Sequence, residues 1–446
     1  MSLSDTLKRG VKYTAIGQFA TYGIRFGSNL LLTRLLAPDL FGVMAVAMVF
    51  VYAAAMLCDV GLRSAIIAEK RADDSRFRDI VWTVMTFRVA ALTLFVGLFA
   101  VSILALIRIG FIPEGSAYAD PRLNIVFAML VLAESFRYME SVEVLYRERQ
   151  MNFSTVFRLD LARQLISTAT TLTWAWLSPG IVALCAGSVV ANASIMVASY
   201  VWVARRGPRF IWSPQDFLFL WTRGKWLWVS AILTFSMNIL DRVYLAKYFD
   251  SKQMGLHSIA VLYGFIVIDL VYKFSANVIF PLVSQSFRDE EKDLWRTYYK
   301  SLFRVIMVAL PSGFFFITFG DKLVEFLYDP RYHEAGALLR AFGVIALCSV
   351  YMPAGEVYVA LGQAKIKSQI YFVRLVALLG GLLLMVPSQG LIGGVWALTA
   401  SHLVGALVSL HFNRKLGLFR WSYELKIFGA YAAIAASSFA IRAIFF

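Results

Sequence analysis

The stretch AALTLFVGLFAVSILALI, residues 90–107, carries no charge, and its only polar side chains are the hydroxyls of Thr93 and Ser102. A helix needs about 20 mostly apolar residues to span the hydrocarbon core of a bilayer. Residues 90–107 read as most of one such span, and nearly charge-free stretches recur at Ile181–Val203, Leu302–Phe319 and Leu375–Val386. Working outward, the hydropathy pattern predicts spans at 11–35, 40–67, 79–107, 122–145, 155–177, 181–203, 224–246, 253–283, 300–319, 335–361, 368–387, 391–411 and 427–445. The composition agrees: 59% of the 446 residues are hydrophobic and 16% charged, against about 25% charged in soluble domains. The chain is therefore expected to be an all-α polytopic membrane protein, and no part of it reads as a soluble enzyme.

The net charge of +15 is not gathered into a patch, which speaks against nucleic acid as a partner. Its bases fall in alternate short loops, among them Lys8, Arg9 and Lys12; Lys70, Arg71, Arg76 and Arg78; Arg205, Arg206 and Arg209; and Arg414, Lys415 and Arg420. The intervening loops, such as 37–39, 113–121 and 247–252, are poorer in bases. By the positive-inside rule the first set is cytoplasmic, with the N-terminus inside. Met1–Lys12 shows no cleavable-signal pattern, so the first span is expected to serve as its own insertion signal. Cys58, Cys185 and Cys348 sit singly in apolar runs, and His257, His333, His402 and His411 are scattered. Neither a disulfide framework nor a metal cofactor is expected.

The two halves are related. Leu32-Thr33-Arg34 and Phe41-Gly42 are matched by Leu245-Ala246-Lys247 and Met254-Gly255, an offset of 213. Gly180-Ile-Val-Ala-Leu184 is matched by Gly394-Val-Trp-Ala-Leu398, an offset of 214. Two matches in the same order point to a duplication, each copy holding six spans in the same orientation. The expected organisation is an N-terminal six-helix bundle at 1–205, a cytoplasmic interfacial linker at 206–222, a C-terminal six-helix bundle at 223–412 and an additional helix within 413–446. Repeat-built transporters carry their substrate route between the repeats.

Charges in spans are disfavoured by about 2.5–3.5 kcal/mol each, and tend to face a bundle interior or a wet cavity. Thr14, Gln18, Thr21, Arg25 and Ser28 form one stripe on the first helix; Ser230, Thr234, Asn238 and Asp241 repeat it on the seventh. Arg25 has no acid three or four residues away, so a cavity-lining, anion-contacting role is expected of it. Lys273, with Asp269 one turn before it, and Arg88 are further candidates. Asp59/Arg63, Asp160/Arg163 and the set Glu134, Arg137, Glu140 and Glu143 have helical spacing and read as neutralising pairs. Arg304 and Arg374 read as snorkelling side chains. Cavity bases suit an anionic ligand, since guanidinium matches phosphate oxygens. Asp59, Asp241 and Asp269 are the acids available to a coupling H+ or Na+, and no spacing is specific for either.

Leu35-Leu36-Ala37-Pro38-Asp39-Leu40-Phe41-Gly42 resembles the LLxPxxFG signature of the polysaccharide transporter family, the Wzx-type oligosaccharide-lipid flippases of the multidrug/oligosaccharidyl-lipid/polysaccharide exporter superfamily. Asp59-Val-Gly-Leu62, Leu145-Tyr-Arg147 with Phe153, Leu240-Asp-Arg242, Phe280-Pro281 and Ala360-Leu-Gly362 resemble that family's pattern in order. The resemblance implies two six-helix bundles working by alternating access in the bacterial cytoplasmic membrane. The implied substrate is an undecaprenyl-pyrophosphate-linked oligosaccharide, with a polymerase and a chain-length regulator as partners. It further implies a cavity lined by helices 1, 2, 7 and 8, in which Arg25, Arg63 and Lys273, matched by helix, are the nearest counterparts of the cavity arginines of related flippases. Many relatives have two helices after the repeats; one is expected here, which puts residue 446 on the periplasmic side. Two readings compete. A cation-coupled multidrug exporter would favour a weakly charged pocket, and an enzyme acting on lipid-linked sugars would need a sizeable outer loop.

Overall fold

Pro38 opens the second helix of the chain, at a position where its missing N–H forfeits no helical hydrogen bond. The computed structural model describes residues 21, 23–58, 74–150, 152–204, 209–275, 279, 282–283 and 294–445, without the side chains of 153, 219–234, 238, 274, 364, 439 and 445. A helix over 23–35 (α1) is followed by α2 (Pro38–Leu57), α3 (Ser75–Arg108), α4 (Leu123–Tyr138), α5 (Val142–Arg149), α6 (Phe153–Leu177) and α7 (Ile181–Ala198). The second series is α8 (Pro214–Tyr248), α9 (Ser251–Phe274), α10 (Leu294–Leu327), α11 (Ala335–Cys348), α12 (Pro353–Ala360), α13 (Ala364–Gln389) and α14 (Leu391–Lys415), with α15 (Trp421–Phe445) beyond it. The architecture is all-helical, two groups of six spans plus one helix. Among the described residues nine helices are long and apolar enough to cross a membrane.

By contacts the chain forms two compact units, Met1–Ile239 with Ala246–Lys252, and Leu240–Leu245 with Gln253–Phe446. The same joint occurs in each. In the first, Leu32 of α1 and Leu36 just past its end cluster with Ala183 of α7. In the second, Leu245, fully buried, lies against Gly394 of α14, where an added Cβ would sit 2.8 Å from the Leu245 methyls. Leu32 and Leu245 are the residues that the repeat pairs.

Three segments differ from the sequence expectation. The span predicted over 122–145 is two helices: the first ends at Tyr138, and Ser141 accepts the Glu143 amide at 3.2 Å to cap the second. The expected linker at 206–222 is already helical from Pro214. Ahead of it the amides of Arg209 and Ile211 donate to Asp79 Oδ1 (3.4 Å) and Thr83 Oγ1 (2.9 Å), and Phe210 and Trp212 pack on Phe87. The span predicted at 300–319 extends over 294–327, with its polar ends held by partners outside the helix.

Those partners include α15. Tyr299 Oη donates to Glu424 at 2.7 Å, Thr318 Oγ1 donates to Ser438 at 3.0 Å, and Arg442 Nη2 donates to Asp321 at 3.0 Å. The pairs ascend together, so α15 runs parallel to α10 along its length. From 424 to 442 the helix rises roughly 27 Å, enough to cross a bilayer core.

On the first unit, Arg122 ties the loops together. It bonds Asp39 at 2.6 Å and Asp120 at 2.7 Å, while Ser251 Oγ donates to Asp120 and the Ala117 amide donates to the Phe249 carbonyl. Burial alone would raise the Asp120 carboxyl, but hydrogen bonds from Arg122 and Ser251 outweigh it and hold the group below its ordinary value of 3.8. A lowered folded-state value stabilises the fold above pH 3.8, and that contribution fades as the pH falls through the lowered value. Arg122→Ala should lower stability by about 1 kcal/mol, since the guanidinium is partly exposed. Thermal unfolding of the purified protein at pH 7 and pH 3.5 checks both parts: the variant's deficit should shrink at the lower pH, and a deficit that grew there would refute the assignment.

Candidate functional site: charged groups inside the two units

Arg25 projects from the polar stripe of α1, and its Nε donates to Gln164 Oε1 on α6 at 3.0 Å. Gln164 in turn donates to Thr168 Oγ1 at 3.1 Å, one turn along α6. This chain fixes one edge of the guanidinium and leaves its outer nitrogens available. The residue is exposed, and among the described residues no carboxylate pairs with it. Glu134 and Arg137 of α4, 3.6 Å apart, and Arg25 all lie within electrostatic reach of Tyr52 on α2. Four helices of the first unit thus bring polar groups together.

Arg88 of α3 lies over the Tyr138 ring, 4.2 Å from its centre. Arg163 bridges segments instead of pairing only locally. It donates to Glu140, beyond the end of α4, at 2.8 Å and to Asn192 on α7 at 2.9 Å, while Asn192 donates to the Ala133 carbonyl. The spacing of Asp160 and Arg163 suggested a pair within one helix; the guanidinium's reach across helices could not be read from that spacing.

In the second unit Lys273 and Asp269 form the expected i,i+4 pair at 2.8 Å, both partly exposed. Asp241, 2% exposed, lies 3.8 Å from Nε2 of His257, 1% exposed, whose ring lies beside Phe342. His257 was not a sequence candidate, since nothing in the spacing of residues 241 and 257 announces the contact. Gln18, Asp59 and Arg63 lie outside the described residues, as does the side chain of Asn238.

Arg374 corrects its expected role. It stands ten residues into α13, roughly 15 Å from the helix start, and its Nε is buried. Its stem lies on Gly405 of α14, where a Cβ would come within 2.5 Å of the Arg374 Cδ. Together with Lys367, Glu356, Tyr371 and His402 it lines a cavity. Packing against a glycine on the next helix turns the side chain inward, so it does not snorkel.

Two series of six spans, each with charged and polar groups within its apolar segments, define a multi-pass membrane protein of transporter architecture. Residues 31–337 match the family model described as "Polysaccharide biosynthesis protein", and the chain belongs to that family. It is 24% identical over 354 residues to the succinoglycan biosynthesis transport protein ExoT of Rhizobium meliloti (strain 1021), covering 78% of this chain and 69% of that protein. It is 20% identical over 371 residues to the lipopolysaccharide biosynthesis protein WzxC of Escherichia coli (strain K12), covering 82% and 72%. Among solved structures, the lipid II flippase MurJ in an inward closed conformation superposes with a TM-score of 0.73 at 14% identity, covering 98% of this chain and 93% of that one. An inward-facing MATE-family multidrug resistance transporter gives 0.63 at 12% identity, covering 95% and 99%. At these identities the structures establish the shared fold.

Proposed function

We propose that this protein is a flippase that moves lipid-linked oligosaccharide units from the cytoplasmic to the periplasmic leaflet of the bacterial inner membrane, with its N-terminus in the cytoplasm. The units are undecaprenyl-pyrophosphate-linked and feed synthesis of an exopolysaccharide, capsule or O-antigen by a partner polymerase and chain-length regulator. Family membership and the names of ExoT and WzxC support the cargo class. The observation that carries the reading is Arg25, an exposed guanidinium on the polar stripe of α1, braced by Gln164 and with no carboxylate partner among the described residues. Guanidinium binds phosphate oxygens through paired, charge-assisted hydrogen bonds, and α1 offers it where a pyrophosphate head would otherwise lack a counter-charge. The glycan crosses with the head while the polyprenyl tail stays in lipid. Asp241 beside His257 is the acid we assign to a coupling H+ or Na+.

The test is a reconstitution. Proteoliposomes loaded with an undecaprenyl-pyrophosphate oligosaccharide should expose the glycan to an external lectin faster than protein-free vesicles do. Absence of that difference, with extrusion of cationic dyes by the same vesicles, would transfer the protein to the drug exporters. Lys273→Ala should slow translocation only about twofold to fivefold, because its ammonium is already engaged by Asp269 and partly screened. An unchanged rate would remove Lys273 from the site.

A further inference from the structure

The cavity that holds Arg374 lies wholly within the second unit, between α9, α11–α12, α13 and α14. Its volume is about 40 Å³. A space of that size takes two or three waters or a single small ion. The charges that line it do not balance. Lys367 Nζ is matched by Glu356 at 2.7 Å. Arg374 has no matching acid: among the described residues no group hydrogen-bonds or ion-pairs with its guanidinium, and the Nε is buried without a partner. Its nearest aromatic support, the Tyr371 ring, is 5.9 Å away, at the outer limit of a cation–π contact. His402, whose Nδ1 bonds the Leu398 carbonyl at 2.9 Å, carries no negative charge and is no counter-ion.

Arg374 is only partly exposed, its Nε is buried, and no counter-ion meets it among the described residues; an unmatched cation held away from water is disfavoured, and this one faces a hole the size of an ion. We propose that the cavity is a binding site for one small inorganic monoanion, with Arg374 as its principal contact and chloride as the working ligand. One negative charge neutralises the single excess positive charge of Arg374, Lys367 and Glu356. Gly405 is the residue that makes the site possible, because any side chain there would push the Arg374 stem out of the α13–α14 seam. The site is separate from Arg25, and its occupancy does not depend on the cargo being a lipid-linked glycan.

The experiment is a thermal-unfolding titration of the purified full-length protein in detergent, at fixed ionic strength, exchanging gluconate for chloride. A ligand that binds only the folded state raises the midpoint with its concentration, here by an expected shift of order 2 °C at saturation. The rise should saturate, vanish in Arg374→Gln and be absent when inorganic phosphate replaces chloride. Glu356→Gln provides a test that does not require loss of the arginine: removing the only acid among the charges lining the cavity should tighten chloride binding by about fivefold or more. A structural role for Glu356 would not produce that gain. No saturable chloride effect in the wild-type protein, an equal effect in Arg374→Gln, a phosphate response without a chloride response, or unchanged or weaker binding in Glu356→Gln would each overturn the proposal.

Discussion

Arg25→Ala is expected to cut glycan translocation by about 10- to 100-fold while leaving the protein folded and inserted. A hydrogen bond to a charged partner contributes about 1.5–3 kcal/mol, and every 1.4 kcal/mol is a factor of ten. The loss should exceed that of Lys273→Ala because no acid among the described residues satisfies Arg25. Its brace offers a finer test. Gln164→Ala removes the acceptor that fixes the Nε but leaves the charge, so the expected loss is smaller than for Arg25→Ala. Arg25→Lys should recover part of the rate, since a point charge attracts phosphate but lacks the fork that binds two oxygens. Wild-type translocation in Arg25→Ala at normal expression would remove the pyrophosphate site from α1.

The second large effect is on stability. Glu424 is fully buried at the start of α15, where it accepts hydrogen bonds from Tyr299 of α10 and from Tyr351. Glu424→Ala would leave two buried hydroxyls without an acceptor and should destabilise the protein by about 2–5 kcal/mol. Glu424→Gln keeps an acceptor oxygen and should lose less than half of that. The readout is the unfolding midpoint of the purified protein, with α15 expected to become protease-sensitive at lower temperature than the rest of the chain. Equal midpoints for Glu424→Ala and the wild type would mean that α15 is held by its apolar face alone.

Much of this architecture was legible because the signals are local. Apolar length marks spans, the Pro38 and Gly390 breaks mark hairpins, and Gly390, at φ 65° and ψ −143°, adopts a backbone conformation open almost only to glycine. The Lys273–Asp269 pair was legible for the same reason, being one turn apart on one helix. What stayed hidden depends on contacts between segments distant in sequence. Nothing near Arg374 announces that Gly405 will receive its stem, and nothing near Arg163 announces Glu140 and Asn192. Glu424 looks like an ordinary acid at a helix start until Tyr299 and Tyr351 arrive from elsewhere in the chain. Ser141 was a weaker case of the same problem, a cap hidden inside a run of acceptable hydropathy. The stripe on α1 did lead to Arg25, but the spacing could not supply Gln164, which orients it.

The corresponding joints, Leu32 against α7 and Leu245 against α14, bear on how two copies of one frame can come to differ. The mechanical seam between the first and last helix of each copy has been kept in duplicate, while the polar face beside it has drifted. One copy carries Arg25 and Ser28 where the other carries Asn238 and Asp241. On the reading proposed above, a shared frame with unlike chemistry would let the halves specialise, one toward the anionic cargo and the other toward a proton or cation. Exchanging the pair in both directions, Arg25→Asn with Asn238→Arg, would ask whether the frame still permits the roles to trade places.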